Sequence, residues 1–427
     1  MQVTVSLRVE LGASGGVDEV EGLVLEAGRE AMKEALVQAW REWEQEVMAQ
    51  GCPKCTGSAE GLRSKGVRRR VVLHLRRLRC EGCGHKFKPG ASFLEGLGGA
   101  NLTRRLREEC AETGSSAPSY KAAARRIHRA CGARVDAETV RKYTHLAGTQ
   151  QAERMVLEAQ DRHTPTAESV SLKRKQPQQQ PQLMVVGLDG GWIASRDQPA
   201  GMEGKLGVIA TAIEPVGIKG RHKLTERVLV GTFGSSQQLG VLACAAALEL
   251  GGHEASRQWV LGDGASWIKT QAQQHFGTAV KILDWGHLWR VVAKAVRAAR
   301  PGQECKRERK RLYEGLREWL WQGNVQEALQ VLESLCQAGQ QVVALEAAIA
   351  YLHNQRHWIG NYEAWQEQGY AVGSGLVERQ VELVLNRRLK RRGMRWLRPN
   401  ADAVLALRLR QLNADWHDEP ETNKTAA

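Results

Sequence analysis

Residues 183–287 contain a succession of short apolar runs, and this pattern constrains the fold more than any other part of the 427-residue chain. The first three runs are LMVVGLDGG, KLGVIATAIEP and RVLVGTF, each with the length and composition of a strand. A helical stretch at about 236–250 follows, and then come QWVLGDG, a further helix and VKILDWGH. The order of three strands, helix, strand, helix, strand predicts a mixed α/β domain.

The pattern changes on either side of this domain. Residues 160–182 end in KRKQPQQQPQ, and their Pro, Gln and charge content cannot bury a core, so we interpret them as a linker. Residues 288–370 show helical patterns without strand runs. A last helix is expected to begin near Ser374 and to run into a basic cluster, within a segment spanning 371–412. Residues 413–427 are expected to form a flexible tail.

The first 50 residues predict a strand and a long helix. Apolar and polar residues alternate at about 2–10, and helical spacing then extends from Val17 to Gln50. The apolar face of that helix would contain Val24, Met32, Leu36, Trp40, Trp43 and Val47. The face could pack within the monomer or against a second copy, and the spacing favours neither.

The chain is strongly basic, with a formal charge of +14 and a pI of about 9.5. Residues 61–80 hold eight Lys and Arg, and residues 387–398 hold seven. This clustering favours nucleic acid as a partner over a generally basic, solvated surface. No run of 18 apolar residues and no secretion-signal layout occurs, so we expect no membrane partner and a cytoplasmic, nucleoid-associated location.

Two CxxC pairs predict a metal site in residues 51–95. Cys52, Cys55, Cys80 and Cys83 offer four thiolates, the ligand set of a structural zinc site. The ion would supply folding energy that so short a segment cannot obtain from a core. The segment VRRRVVLHLRRLRC between the pairs alternates like one strand with a basic exposed side. The alternative is two pairs of free cytosolic thiols.

Residues 100–150 are typical of a helix-turn-helix. Two helical segments flank Gly132, Asp136 is a plausible N-cap of the second, and Gly148 is a plausible C-terminal stop. Arg141 and Lys142 on the second helix are candidate DNA contacts. The alternative is an ordinary helical hairpin with solvated charges.

Three acidic residues are candidate catalytic and metal-binding groups: Asp189, Asp263 and Glu378. Phosphodiester hydrolysis and transfer need two divalent cations, and Mg²⁺ (or Mn²⁺) prefers carboxylate oxygens. Each aspartate ends an apolar strand before glycine, which would let metal or DNA approach closely. Alone, each aspartate could be a turn residue, and Glu378 could be a helix-start glutamate stabilised by the helix dipole.

A basic run follows Glu378 and could bind phosphates beside the site. Its members are Arg387, Arg388, Lys390, Arg391 and Arg392. A solvated helix face is the alternative. The tryptophans of residues 288–370 are expected to form the core of a helical subdomain.

The motifs LDGG, LGDGASW, ILDWGH, GSGLVER and LKRRGMRW, in this order, resemble bacterial insertion-sequence transposases of the DDE type, of the ISKra-like group. The resemblance covers about residues 50–410. It implies a zinc ribbon and a helix-turn-helix before an RNase H-like catalytic domain, with a mixed five-stranded sheet and an all-helical insertion at 288–370. It assigns Asp189, Asp263 and Glu378 to catalysis.

The same resemblance implies a supporting role for His287, as a DNA contact or a partner of the acidic cluster. Asp284 competes with Asp263 as a metal ligand, and the strand-Asp-Gly context favours Asp263. The implied reaction is Mg²⁺-dependent cleavage of double-stranded DNA at element ends and strand transfer into target DNA by a homo-oligomer. The competing classes are a catalytically silent DNA-binding regulator and a metal nuclease that cuts without joining.

Overall fold

The computed structural model describes residue 4 and residues 17–70, 73–89, 102–163, 180–215, 222–337, 342–373 and 375–413. The predicted strand at 2–10, most of the linker and the tail from 414 lie outside these residues. The chain forms two compact units. The first comprises residues 1–113 and 120–140, and the second comprises residues 114–119 and 141–427.

The long N-terminal helix is confirmed as α1, Val17–Ala49. Its apolar residues differ in exposure along the helix, with exposed residues toward the N-terminal end and more buried ones toward the C-terminal end. Trp40 is 2% exposed, whereas Met32 is 65% exposed and Val24 and Leu36 are also exposed. Glu44, near the C-terminal end of α1, is buried and forms an ion pair with Arg76 at 3.1 Å.

The cysteine-rich segment folds as a three-stranded antiparallel sheet of β1 (Leu62–Arg70), β2 (Leu73–Cys80) and β3 (Lys86–Phe87). The prediction of one strand through VRRRVVLHLRRLRC is wrong. Arg70 pairs with Leu73 and Leu62 pairs with Cys80, so the chain reverses between β1 and β2. The alternation of apolar and polar residues belongs to two paired strands. Each strand of a hairpin alternates in the same way as one long strand, so the pattern alone does not show where the chain turns.

Three helices follow: α2 (Arg104–Ser116), α3 (Tyr120–Cys131) and α4 (Ala137–His163). Gly132 ends α3 with a φ of +72°, a left-handed conformation that glycine adopts without strain. The predicted N-cap is confirmed, because Asp136 accepts a hydrogen bond from the Thr139 backbone N–H at 2.6 Å. That bond is the main reason why the pKa of Asp136 is lowered.

The predicted mixed α/β domain is confirmed in the second unit. Its sheet contains β4 (Leu183–Ile193), β5 (Met202–Pro215), β6 (His222–Thr232), β7 (Arg257–Gly262) and β8 (Val280–Leu283), in the spatial order β6-β5-β4-β7-β8. The first three strands in sequence are antiparallel neighbours, and β4, β7 and β8 are parallel. Helices α5 (Ser236–Glu249) and α6 (Ser266–His275) connect the later strands.

The region after β8 is helical in its described residues, as predicted. It comprises α7 (Trp285–Ala299), α8 (Lys306–Trp321), α9 (Val325–Gln337), α10 (Val343–Gln355) and α11 (Tyr362–Glu367). An aromatic cluster packs between these helices. The Trp285 ring lies 4.7 Å from that of Trp321 and 5.1 Å from that of Tyr362, and Tyr362 also contacts Trp365. These contacts assign three tryptophans to the subdomain core.

The predicted helix that begins near Ser374 and runs into the basic cluster is confirmed from Gly375 onward. It consists of α12 (Gly375–Val381), a π-helical turn at Glu382–Asn386 and the short α13 (Arg387–Leu389), without a break between them. After a loop, the segment ends with α14 (Arg398–Leu412). The basic run therefore spans a helix end and an irregular loop.

Gly148 does not stop α4, which continues for 15 residues to His163. The prediction is wrong because the glycine serves a tertiary contact. A Cβ at Gly148 would overlap the backbone of Ala403 in α14, lying 2.5 Å from its carbonyl carbon. The absence of a side chain at Gly148 lets the backbones of α4 and α14 approach each other closely.

Replacement of Gly148 by alanine should therefore lower the free energy of unfolding by about 1–3 kcal/mol, the usual cost of overpacking. Gly315→Ala in α8 is the matched control, because its added methyl would only touch the Trp319 ring at 3.7 Å. Helix propensity predicts a gain of up to about 1 kcal/mol there. Denaturant unfolding measures both. Equal effects of the two substitutions would contradict the proposed α4–α14 contact.

Candidate active site

Asp189, Asp263 and Asp284 lie side by side on three adjacent strands, with Asp263 and Asp284 directly after the ends of β7 and β8. The prediction that Asp189 also ends its strand is wrong, because β4 continues to Ile193 through its pairing with β5. The parallel register of β4 and β7, carried two residues beyond its last pair, places Asp189 opposite Asp263. The register of β7 and β8, carried one residue further, places Asp263 opposite Asp284. Neighbouring strands lie about 4.8 Å apart, so the three carboxyls are neighbours along one sheet edge.

Two glycines of β4 allow α12, which carries Glu378, to pack directly on the strand. Gly187, Asp189 and Gly191 alternate with their neighbours and so share one face of β4. A Cβ at Gly187 would overlap a methyl of Val377 in α12, and one at Gly191 would meet Leu385 at 2.9 Å. The helix that carries Glu378 is therefore seated directly on the strand face that carries Asp189.

Negative charge accumulates where these groups meet. The pKa of Asp189 is raised to about 6, mainly because the carboxyl is buried, although the hydrogen bond from the Gly190 backbone N–H opposes the rise. The negative charges of Asp263, Glu378 and Asp284 also contribute to this raised pKa. Hard divalent cations relieve such repulsion, and carboxylate oxygens are the ligands they prefer. The donor set thus fits Mg²⁺ or Mn²⁺.

Each aspartate is held by a different local contact. Asp263 accepts a hydrogen bond from the Ala265 backbone N–H at 2.9 Å. Asp284 is 1% exposed and caps α7 by accepting from the His287 backbone N–H. The Asp284 carboxylate is thus committed to a helix start, whereas Asp189 and Asp263 remain half-buried at the rim.

The helical region closes one side of the site through hydrogen bonds to the strand ends. Tyr351 and Gln355, one turn apart on α10, donate to the carbonyls of Asp263 and Gly264 at 3.0 and 2.8 Å. Tyr362 donates to the Leu283 carbonyl at 2.9 Å. Burial, with the nearby Asp263 and Asp284 charges, raises the pKa of Tyr351, so its hydroxyl stays protonated and donates. These residues carry no motif and were missed from the sequence.

The glycines beside the aspartates do not leave open space for a ligand, contrary to the sequence interpretation. A Cβ at Gly190 would lie 2.5 Å from the Glu203 carboxylate, and one at Gly264 would lie 2.5 Å from the Gln355 amide. Gly264 also has a φ of +85°. Close protein packing and a left-handed turn explain these glycines.

Glu378 occupies the first turn of α12, as predicted, and is exposed. Arg290 forms an ion pair with it, with Nη2 at 3.4 Å from Oε1. Arg290 follows His287 by three residues on α7, so both side chains share one helix face. This spacing is the sequence signal that could have identified Arg290. The His287 ring lies 6.1 Å from that of Tyr351.

The basic run is not uniform in exposure. Arg387, Lys390, Arg391 and Arg392 are exposed. The prediction that Arg388 contacts DNA is wrong, because its side chain is 1% exposed.

Arg388 instead serves the core of the second unit. Its Nε and Nη2 both donate to the Gly114 carbonyl at 3.1 Å, and its guanidinium lies 5.1 Å from the centre of the Trp396 ring.

The four predicted metal-binding cysteines converge in the first unit. The Sγ atoms of Cys52 and Cys83 are 3.6 Å apart, those of Cys55 and Cys80 are 3.5 Å apart, and all four lie within 4.8 Å of one another. Sulfurs bound tetrahedrally at 2.3 Å would be about 3.8 Å apart. The cluster could therefore hold a metal ion such as zinc.

The two CxxC turns have matching backbone geometry. In each, the residue four positions after the first cysteine has a positive φ and donates its N–H to that cysteine's carbonyl, at 3.0 Å for Thr56 and 2.9 Å for Gly84. Burial raises the pKa of Cys52, but hydrogen bonds from the Lys54 and Cys55 backbone outweigh it, and the pKa falls to about 6.

The helical module presents basic side chains. Arg141 and Lys142 are exposed near the start of α4. In the first unit, α3 and the turn after it line an open depression of about 500 Å³ whose cationic or titratable lining groups include Lys121, Arg125, His128, Arg129 and Arg134.

No protein-family model and no curated protein matches the chain. Within the described residues, none of the helices is long and apolar enough to cross a membrane.

The seating of α12 on β4 is directly testable. Gly187→Ala should push Val377 away and separate Glu378 from Asp189, which weakens Mn²⁺ binding at the carboxylates by about 10-fold or more, because small displacements at such sites carry large effects. Adding Val377→Ala removes the overlapping methyl and should restore affinity. Titration with Mn²⁺, followed by electron paramagnetic resonance, measures the affinity of the single and the double variant. Unchanged affinity in Gly187→Ala would contradict this arrangement.

Proposed function

We propose that this protein is a DDE-type DNA transposase that cleaves DNA at the ends of a mobile element and joins the freed 3′ ends to target DNA. One observation carries the proposal. The candidate catalytic set of the sequence lies in one acidic cluster, with Asp189 in β4, Asp263 directly after β7 and Glu378 in α12. A DNA-binding protein without catalysis has no need of such a cluster.

The chemistry follows from the donor set. When bound, two divalent cations activate the attacking oxygen and stabilise the leaving oxygen of a phosphodiester. Asp189, Asp263 and Glu378 would hold them. Asp189 is the central group, because its pKa responds to all the other carboxylates. Asp263 is preferred to Asp284 as the ligand, since Asp284 already caps α7.

The architecture supports an RNase H-like catalytic domain. A mixed five-stranded sheet flanked by helices is what that fold requires, and the second unit contains one. The helices of residues 288–370 then correspond to an insertion between the second aspartate and the glutamate. Hydrogen bonds from Tyr351 and Tyr362 attach this insertion to the strand ends.

The remaining modules fit recognition of double-stranded DNA. We assign the four-cysteine segment to a zinc ribbon, because a closed site of four thiolates provides folding energy and leaves no position for catalysis. α3 and α4 would form the helix-turn-helix, with Arg141 and Lys142 as contacts. Arg387, Lys390, Arg391 and Arg392 would bind phosphates near the cluster.

A transposase must handle two element ends together, so a homo-oligomer is expected. A nucleoid-associated, cytoplasmic location follows from the proposed substrate.

The proposal predicts the effect of neutralising each carboxylate. Asp189→Asn, Asp263→Asn and Glu378→Gln should each lower Mg²⁺-dependent cleavage of end-containing DNA by about 100-fold or more, the scale for losing a group that stabilises transition-state charge. Glu214→Gln, on an exposed position of β5, is the matched control and should retain full activity. Gel-based cleavage and strand-transfer assays measure the two steps.

The outcomes separate the competing functions. Cleavage that persists in all three variants would overturn the mechanism. Cleavage by the wild type without strand transfer would identify a nuclease that cuts but does not join. DNA binding without any cleavage would identify a regulator.

A further inference from the structure

A third cluster of candidate metal-binding side chains lies in the second unit, in addition to the acidic cluster and the four cysteines. His163, Cys244 and His275 each offer one ligand atom, and these atoms lie within 4.8 Å of one another. The three residues come from the last residue of α4, the middle of α5 and the end of α6. No sequence motif links them, because 81 residues separate the first from the second.

The surrounding contacts hold the three helices together at this point. Arg162 forms an ion pair with Glu249 of α5 at 2.6 Å, which places the end of α4 beside α5. Gly240 lies one helical turn before Cys244, and a Cβ there would come within 2.7 Å of Nε2 of His275. The missing side chain thus makes room for the imidazole next to the thiol.

Cys244 and His275 are the two half-buried members of the cluster. Within the part of the chain that the structure describes, the Cys244 thiol and the His275 ring form no hydrogen bond. The His163 and His275 rings meet edge to face, with centroids 5.4 Å apart. Two imidazoles and one thiol are therefore close enough to bind the same metal ion, and all three are soft or borderline ligands.

We infer that His163, Cys244 and His275 form a second zinc site. Imidazole and thiolate select Zn²⁺ over Mg²⁺, which prefers oxygen ligands. Ligand atoms bound tetrahedrally at 2.0–2.3 Å lie about 3.3–3.6 Å apart. Since the three ligand atoms already lie within 4.8 Å of one another, they must close by about 1.5 Å at most to complete the site. His163 is exposed at a helix end, where its side chain can rotate to make that adjustment.

Binding converts the Cys244 thiol to a thiolate, and the proton passes to solvent. Three protein ligands leave the fourth tetrahedral position to water or to an external donor. The ion would join the end of α4 to α5 and α6, which pack beside the catalytic sheet. This site is independent of the carboxylates, so it can be tested whether or not the protein cuts DNA.

The test is metal content in the full-length protein after removal of metal and reconstitution with zinc. Plasma mass spectrometry should find two zinc equivalents per chain in the wild type, one in the four-cysteine site and one here. His163→Ala and Cys244→Ser should each retain one equivalent. His253→Ala, an exposed histidine outside the cluster, is the matched control and should retain two.

Cobalt provides an independent readout of ligand type. The Cys80→Ser variant, which lacks the four-cysteine site, should still bind one Co²⁺ with a thiolate charge-transfer band. That band should disappear when Cys244→Ser is added. Because His163 is exposed, His163→Ala leaves the core intact, and circular dichroism verifies folding. Equal zinc in wild type, His163→Ala and Cys244→Ser would overturn the inference, as would a Cys80→Ser protein without the cobalt band.

Discussion

The contact between α12 and β4 is the constraint on which the candidate active site depends. A strand can meet a helix this closely only where side chains are missing from the strand, and Gly187 and Gly191 supply that gap on either side of Asp189. The same contact brings the helix that carries Glu378 onto the face of β4 that carries Asp189. Without it the sheet would carry aspartates along its edge but no carboxylate from the opposite side.

Carboxylates that lie close together repel one another, and several contacts in the structure reduce this repulsion. Burial raises the pKa of Asp189, and the charges of Asp263, Glu378 and Asp284 raise it further. Asp284 is stabilised by the start of α7, and Arg290 offsets the charge of Glu378. The raised pKa of Asp189 supports its proposed role in binding cations.

Local pattern predicted the five strands of the second unit, the long first helix and the end of β7, because apolar runs and an Asp-Gly boundary are short-range signals. It placed the end of β4 too early, because pairing with β5 carries that strand past Asp189 to Ile193. Glu378 depended on the family resemblance, since its own turn is also an ordinary helix start. The errors at Gly148 and Arg388 share one cause. Each residue contacts a partner more than 250 positions away, Ala403 and Gly114, and no local pattern records such a contact.

The central claim is that the carboxylates of Asp189, Asp263 and Glu378 jointly hold divalent metal. Anomalous diffraction from crystals of the DNA-bound protein grown with Mn²⁺ tests it most directly. The account predicts two manganese peaks, about 3.5–4 Å apart, bound by oxygens of these three side chains. Peaks bound elsewhere, with the cluster intact and metal-free, would contradict it.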